Sequence, residues 1–361
     1  MIALNDVKEY NAGFIDDFTK DVSSLIHSGR YILGDTVAEL ETRISEYIGV
    51  RHCVGVSSGT SALELAFAAL NLRPEDEVII QANAYIACAF GILQSKAAMK
   101  IIDCEPSGVF SISEFERNIS PRTKAVLVVH LYGDCCNMER MASLCEERGI
   151  HLIEDCAQSF GSSYGSKKLG SFGLMSCHSF YPTKNLGALG DAGAICTNDD
   201  DLAAVLKNVR NLGSIQKYVH TMKGTNSRLD PIQACILLRK LPDVDRTIRV
   251  KREIADEYKR RIRHPHLKNT DPNATSSYHL YVICVKNRDA FVDMMKTAGI
   301  ETIIHYPVPF YKSEAYSELN HLTFPIAEAL SKTIVSIPLY CTLSPEQVRY
   351  IILQTNRFQI Q

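Results

Sequence analysis

No apolar stretch in this 361-residue chain approaches the roughly 20 residues that a membrane-spanning helix needs. Runs such as 125–131 are far shorter and read as buried strands. The opening MIALNDVKEYNAGF has no basic head followed by an apolar run, so no secretory signal is expected and a cytoplasmic location is. Neither sign of charge is in excess. A formal net charge of −2 predicts no strong field for nucleic acid or an anionic membrane. Cysteine is plentiful at twelve residues, but C-x-x-C pairs are missing and no histidine pair sits beside the cysteines at ligand spacing. No metal site is therefore expected. Adjacent Cys135 and Cys136 suit neither a simple chelate nor a disulfide framework. Cys53, Cys88, Cys177, Cys196, Cys235 and Cys284 lie inside apolar segments, where free thiols act as small buried hydrophobes of a reducing compartment. The G-x-x-x-x-G-K-[ST] phosphate loop is absent, and Gly187, Gly190 and Gly193 have the wrong spacing for a dinucleotide fingerprint.

The chain is longer than one hydrophobic core usually supports, so two domains are expected, 1–230 and 231–361. In the first, short apolar runs alternate with amphipathic stretches. Strands are predicted at 52–57, 77–81, 99–103, 125–131, 151–154, 176–181 and 192–197, with helices at 61–71, 86–94, 113–118 and 138–148. Valine-, isoleucine- and leucine-rich strands separated by helices indicate an α/β fold with a mainly parallel sheet covered on both faces. Ligands gather at the carboxyl ends of such strands. After Asp230 a polar helix is predicted from Pro231 towards Arg263, interrupted near Pro242. Its basic segment, 251–263, alternates in sign and reads as a solvated face. A strand at 278–285, a helix at 288–298, a strand at 301–304 and a helix at 344–355 make a smaller α+β unit.

Three segments carry chemistry. In VGVSSGTSALELAFAAL a strand ends, Ser58-Gly59-Thr60 follows and an apolar helix begins. The unpaired N–H groups of a helix start suit a phosphate, although Ser and Thr also serve there as plain caps. In HLIEDCAQSF a buried strand delivers Glu154 and Asp155 at its end. An acid there is costly unless paired. It could face a pyridine nitrogen and keep it protonated, hold a metal, or cap a turn. In SCHSFYPTKNLGALGDAGA, Lys184 stands just beyond a strand in apolar surroundings. There a lysine can lose its proton and form an imine, whereas most lysines simply face solvent.

The order of these segments and their wording resemble the nucleotide-sugar aminotransferases of the DegT/DnrJ type. The resemblance begins at Gly34-Asp35 with Glu39 and Glu41. It runs through SSGTSAL, DEVI, VHLYG, IEDCAQSFG, SFYPTKNLGALGDAGA and GTNSRLDPIQA to HYPVPFY, nearly the whole chain. It implies an aspartate-aminotransferase-like fold (fold type I), with a large domain built on a seven-stranded sheet and a smaller α+β C-terminal domain. It also implies pyridoxal 5′-phosphate as cofactor and a homodimer with shared active sites. By this resemblance Lys184 is the Schiff-base lysine and Asp155 the partner of the pyridine nitrogen. Gly59, Thr60 and Ser179, with Ser58 beside them, hold the phosphate. Gln158 lies near the ring hydroxyl and Tyr85 stacks on the ring. Asn226 reaches the phosphate of the other subunit, and Tyr181, His305 and Tyr306 lie towards the sugar. Three positions depart from the pattern: Ala84 replaces a common Thr, Ala192 a common Gly and Tyr311 a common His.

The implied reaction moves an amino group from glutamate to a nucleotide-linked keto sugar. The turn KNLGALGDAGA is similar to that of enzymes aminating the 3-position of dTDP-3-keto-6-deoxyhexoses, giving dTDP-3-amino-3,6-dideoxyhexoses. UDP-linked 3-keto sugars and 4-keto sugars are the alternatives within this chemistry; relatives acting at the 4-position more often carry a Glu-Gly-Gly version of the turn. A cofactor-binding regulator without turnover is the alternative outside it, and retention of Lys184 and Asp155 argues against that. Dehydratases of the same fold replace the lysine with histidine, and position 184 is Lys.

Overall fold

Seven of the apolar runs form one sheet: β1 (His52–Val56), β2 (Glu77–Gln81), β3 (Ala98–Ile102), β4 (Thr123–Val129), β5 (His151–Asp155), β6 (Met175–Ser179) and β7 (Gly193–Thr197). The structure is a computed structural model that describes residues 1–216, 218–267 and 271–358. The strands are ordered β1-β7-β6-β5-β4-β2-β3. All neighbours from β6 to β3 are parallel, and β7 runs antiparallel to both β1 and β6. This is the mainly parallel α/β architecture that the sequence predicts.

Alternation along the strands explains the two covered faces. Val78, Ile80, Ala125 and Leu127 face one cluster with Ala66, Phe67 and Ile92, from the helices Gly59–Ala69 and Ile86–Gln94. Ile79, Val126 and Val128 face the other, with Phe115, Met141 and Leu144. Each of these large side chains that is fully buried contributes about 1.5–3 kcal/mol. Twelve free cysteines fit this picture: ten are buried, and Cys284 and Cys341 are half-buried.

Strand direction then positions the site. β1, β5 and β6 point the same way, so Ser58, Asp155 and Ser179 reach one edge of the sheet. The reversed β7 begins at that edge, with Gly193 opposite both Val56 and Ser179.

Three N-terminal helices, Val7–Ala12, Ile15–Ser28 and Asp35–Ile48, were not predicted. The last buries Val37, Leu40, Ile44 and Ile48 against Ala194, Leu229 and Leu237. Beyond Asp230 the helix Pro231–Lys240 ends in a 3₁₀ turn, Leu241–Asp243, and the helix Val244–Arg261 follows. Pro242, which lacks an N–H, sits at this break. The basic segment is not wholly solvated, which corrects the reading from its charges. Lys251 is 7% exposed and lies on the inward stripe with Ile248, Ala255 and Tyr258.

The strands Tyr281–Cys284 and Ile334–Ile337 pair antiparallel. They pack with the helices Arg288–Thr297 and Pro345–Arg357 around Phe291, Val335 and Ile351. No strand forms at 301–304. Ile303 makes a single bridge to Ser336, while Ile300 bridges to Ile2 and the Glu301 carboxylate accepts the Leu4 N–H at 2.8 Å. The backbone there is divided between two partners and cannot continue one ladder. Among the described residues, no helix is long and apolar enough to cross a membrane.

Candidate active site

The carboxyl ends of β1, β5 and β6 open on a cavity of about 420 Å³. Eleven of the twelve residues expected in the site line it, and Asn226 does not. One wall is the start of the helix Gly59–Ala69. Ser58 is its N-cap: its backbone is extended and its hydroxyl accepts the Ser61 N–H at 3.1 Å. The capping reading of Ser58 holds, and the helix it caps points at the cavity. Close approach needs glycine here. A Cβ on Gly59 would lie 2.6 Å from Cβ of Ser179, and one on Gly193 would lie 2.4 Å from the Ser58 carbonyl. The first N–H groups of the helix, with Thr60 and Ser179 beside them, form a concave donor set suited to an anion.

Asp155 ends β5 and is 5% exposed. One carboxylate oxygen accepts the Ala157 N–H at 2.9 Å and the other accepts the Cys88 thiol at 2.9 Å. Lys184 follows β6 in a turn closed by its own N–H to the Tyr181 carbonyl at 2.8 Å. Burial lowers its pKa to about 8, against the pull of Asp155, which favours the ammonium. A lysine poised in this range can exist as the free amine near neutrality.

The opposite wall is aromatic. The Tyr85 and Tyr306 rings lie 4.9 Å apart, tilted by 31°. Gln158 donates to the Tyr306 hydroxyl at 2.9 Å and accepts the Tyr132 N–H at 2.7 Å, so both ends of its amide are fixed. His305 contacts Ser336 Oγ through Nδ1 at 2.9 Å, and burial followed by the charge of Lys184 lowers its pKa to about 4. It is held neutral. Tyr181 stands at the mouth, 52% exposed.

Sequence reasoning missed His279. It lines the cavity, is 7% exposed and places Nε2 3.5 Å from the Lys184 Nζ. It sits in the loop just before the strand Tyr281–Cys284, and a lone histidine in an apolar segment carries no signal of its own. Asp191, from the glycine-rich turn, also reaches the cavity. Tyr311 lies elsewhere: it is fully buried, and its hydroxyl donates to Glu328 at 3.2 Å. Asn226 is exposed and bridges Asn211.

Glu154 has a different role from its neighbour. Its oxygens take His130 Nε2 at 3.0 Å and the N–H groups of Gly170, Phe172 and Gly173 at 2.8–2.9 Å. Burial alone would raise its pKa, but these partners together hold it below the ordinary value. Among the described residues, His130, Glu154 and Cys156 are the one group spaced like metal ligands. The Glu154 carboxylate is already engaged by four donors, which accounts for its burial without an ion.

The model of the DegT/DnrJ/EryC1/StrS aminotransferase family matches residues 14–355. The chain belongs to this family. It is 39% identical to the dTDP-3-amino-3,6-dideoxy-alpha-D-galactopyranose transaminase of Aneurinibacillus thermoaerophilus, over 99% of both chains. It is 34% identical to the UDP-2-acetamido-2-deoxy-3-oxo-D-glucuronate aminotransferase of Pseudomonas aeruginosa, over 97% of this chain and 98% of that one. The crystal structure of S. venezuelae DesV in complex with a ketimine intermediate superposes with a TM-score of 0.95 at 33% identity, covering 99% of this chain and 97% of that one. The protein is thus a pyridoxal-phosphate-dependent sugar aminotransferase.

The residues of this DegT-type site suit the cofactor. The glycine-lined helix start offers a place for a phosphate, the buried Asp155 carboxylate a partner for a protonated ring nitrogen, and the desolvated Lys184 an amine.

Proposed function

We propose that the protein transfers an amino group from glutamate to a dTDP-linked 3-keto-6-deoxyhexose, giving the dTDP-3-amino-3,6-dideoxyhexose. The observation that carries the proposal is Lys184, desolvated and under the charge of Asp155 in a cavity whose lining includes Asp191 of the glycine-rich turn. The names of the two relatives support the 3-position, since one refers to a 3-amino and the other to a 3-oxo sugar. The relative of higher identity supports dTDP. A UDP-linked 3-keto sugar is the second reading, favoured by the Pseudomonas aeruginosa relative.

Pyridoxal phosphate supplies a carbonyl that takes the amino group and a ring that draws electrons from the reacting carbon. The residues have the following roles. Gly59 and Thr60 offer backbone N–H groups to its phosphate, with Thr60 and Ser179 adding hydroxyls and Ser58 fixing the helix start. Asp155 keeps a ring nitrogen protonated, and its two neighbours, Ala157 and Cys88, hold the carboxylate in place. Tyr85 stacks against the ring face and Gln158 reaches the ring hydroxyl. Lys184 anchors the cofactor and, once free, takes a proton at Nζ from one carbon and returns it to another. Tyr181, His305 and Tyr306 contact the sugar nucleotide. Because burial keeps His305 neutral, it binds by hydrogen bonding.

The active unit in this proposal is a homodimer in the cytoplasm, with Asn226 serving the phosphate of the partner's site. The exposed place of Asn226, outside its own cavity, supports that reading. In this reading the chain divides near Asp230 into 1–230 and 231–361, with the helix Pro231–Lys240 at the boundary packing on the first unit through Ala234 and Leu237. A separate hydrophobic cluster around Phe291 and Val335 supports the division, and residues 2–4 pack with the second unit.

The test is a product assay with glutamate over a panel of dTDP- and UDP-linked 3- and 4-keto sugars. dTDP-4-keto-6-deoxyglucose is offered with and without a 3,4-ketoisomerase, and NMR locates the nitrogen. The proposal expects nitrogen at C3 and only with the isomerase. Amination at C4 without it would contradict the regiochemistry, and preference for a UDP sugar would favour the second reading.

A further inference from the structure

The roles above leave a buried amine unused. Lys251 Nζ donates to Asn185 Oδ1 at 2.8 Å and to the His279 carbonyl at 3.3 Å. Asn185 directly follows Lys184, and its amide nitrogen donates to the carbonyls of Phe160 and Ser277 at 3.2 Å each. The Lys251 amine, whose pKa burial lowers to about 7, therefore ties the lysine turn to the loop that carries His279. At the centre of this brace, His279 Nε2 lies 3.5 Å from the Lys184 Nζ. The Lys251 and Asn185 side chains, each bound to backbone carbonyls, hold the two loops together at this approach.

We propose that His279 is a further catalytic residue, which accepts a hydrogen bond from the ammonium form of Lys184 and aims it, and that Lys251 is a positioning residue holding both. The proposal rests on the reading of Lys184 as the lysine that carries the proton. As an acceptor His279 is neutral, with its proton on Nδ1, which is buried without a hydrogen-bond partner among the described residues, so this tautomer is held at a cost. Burial first, then the charges of Lys184 and Lys251, disfavour an imidazolium. Asp155 and Cys88 also act on Nζ, and Asp155 favours the charged form. The proton balance is simple. Nζ takes one proton from the carbon that carries the amino group and later gives one to the second carbon. His279 keeps its own proton throughout and only fixes the direction of the Nζ–H bonds between the two transfers. Orientation of this kind acts on the chemical step rather than on binding.

The test compares wild type with His279→Leu, His279→Gln and Lys251→Met. In the full chain stripped of cofactor, the rate of reductive methylation at Lys184 by formaldehyde and cyanoborohydride is followed against pH by peptide mass spectrometry. The wild-type midpoint is expected at about 8. Loss of the acceptor in His279→Leu should move it down by about half a unit or more, and His279→Gln should restore most of the shift through its amide oxygen. In the loaded enzyme, His279→Leu should lower kcat by about 10²-fold with KM for the amino donor within about 3-fold. Lys251→Met should lower kcat by about 10-fold alone and add little to His279→Leu, as expected of residues in one network. His279→Asn, too short to reach Nζ, carries the same test if the leucine variant does not fold. An unmoved or raised midpoint in a folded variant, with Lys184 still essential, would overturn the proposal alone. Turnover by Lys184→Ala would overturn the reading on which it rests.

Discussion

Tyr306 lies against Tyr85, with ring centroids 4.9 Å apart and planes 31° from parallel, while its hydroxyl accepts from Gln158 at 2.9 Å. Tyr85 comes from the N-cap of a helix on the large sheet and Tyr306 from the segment that follows His305, so the contact closes one side of the cavity. Tyr85→Ala should weaken cofactor binding about 2–10-fold, the range of an aromatic contact, as read by absorbance titration of the stripped protein. Tyr306→Phe keeps the ring and loses the hydroxyl. It should change cofactor affinity less than about 2-fold and lower kcat/KM for the sugar nucleotide about 10-fold, the loss of one hydrogen bond.

Asp155→Asn should reduce kcat by at least about 10²-fold, because a neutral amide cannot hold a ring nitrogen protonated. The amide can still accept the Ala157 N–H, so thermal unfolding should shift by only a few degrees. Near-normal turnover would mean that Asp155 is a structural residue capping the turn at Ala157.

Glu154 makes the opposite prediction. It is fully buried with His130 and accepts three backbone N–H groups. Glu154→Gln should cost about 3 kcal/mol of stability near neutral pH, in the range for a buried charged hydrogen-bonding group. Its folded pKa lies below the ordinary 4.5, so the carboxylate's contribution is complete above that value and is lost as pH falls further. Unfolding melts of the two proteins should therefore differ most between pH 6 and 8 and converge in acid, within the range where both remain folded.

Much of this arrangement was legible in the sequence because strand ends were. All seven sheet strands appear in the chain as short apolar runs bounded by polar residues or glycine, and Ser58, Asp155 and Ser179 stand at their ends. The strand predicted at 301–304 failed because pairing depends on what lies alongside. Here the N-terminal residues Ile2 and Leu4 take part of that backbone. The helix Asp35–Ile48 carries a signal at Val37, Leu40, Ile44 and Ile48 whose helical spacing could have been read. Lys251 and His279 could not have been found this way. Charge in a basic helix reads as solvated, and only the packing of that helix on the lysine turn turns Lys251 inward.

Asn226 supplies a test of assembly. Lys184→Ala and Asn226→Asp should each be severely impaired, and mixing them under conditions of demonstrated subunit exchange should restore part of the activity. A hybrid dimer would contain one site with both native residues. No recovery after exchange would assign Asn226 to its own subunit's site.

The central claim is that Lys184 carries the cofactor. Borohydride reduction of the purified yellow protein, followed by proteolysis and peptide mass mapping, tests it most directly. The account predicts the cofactor fixed to the peptide containing Lys184, with glutamate added beforehand preventing the labelling. Recovery of the label on any other lysine, Lys251 and Lys240 included, would contradict it.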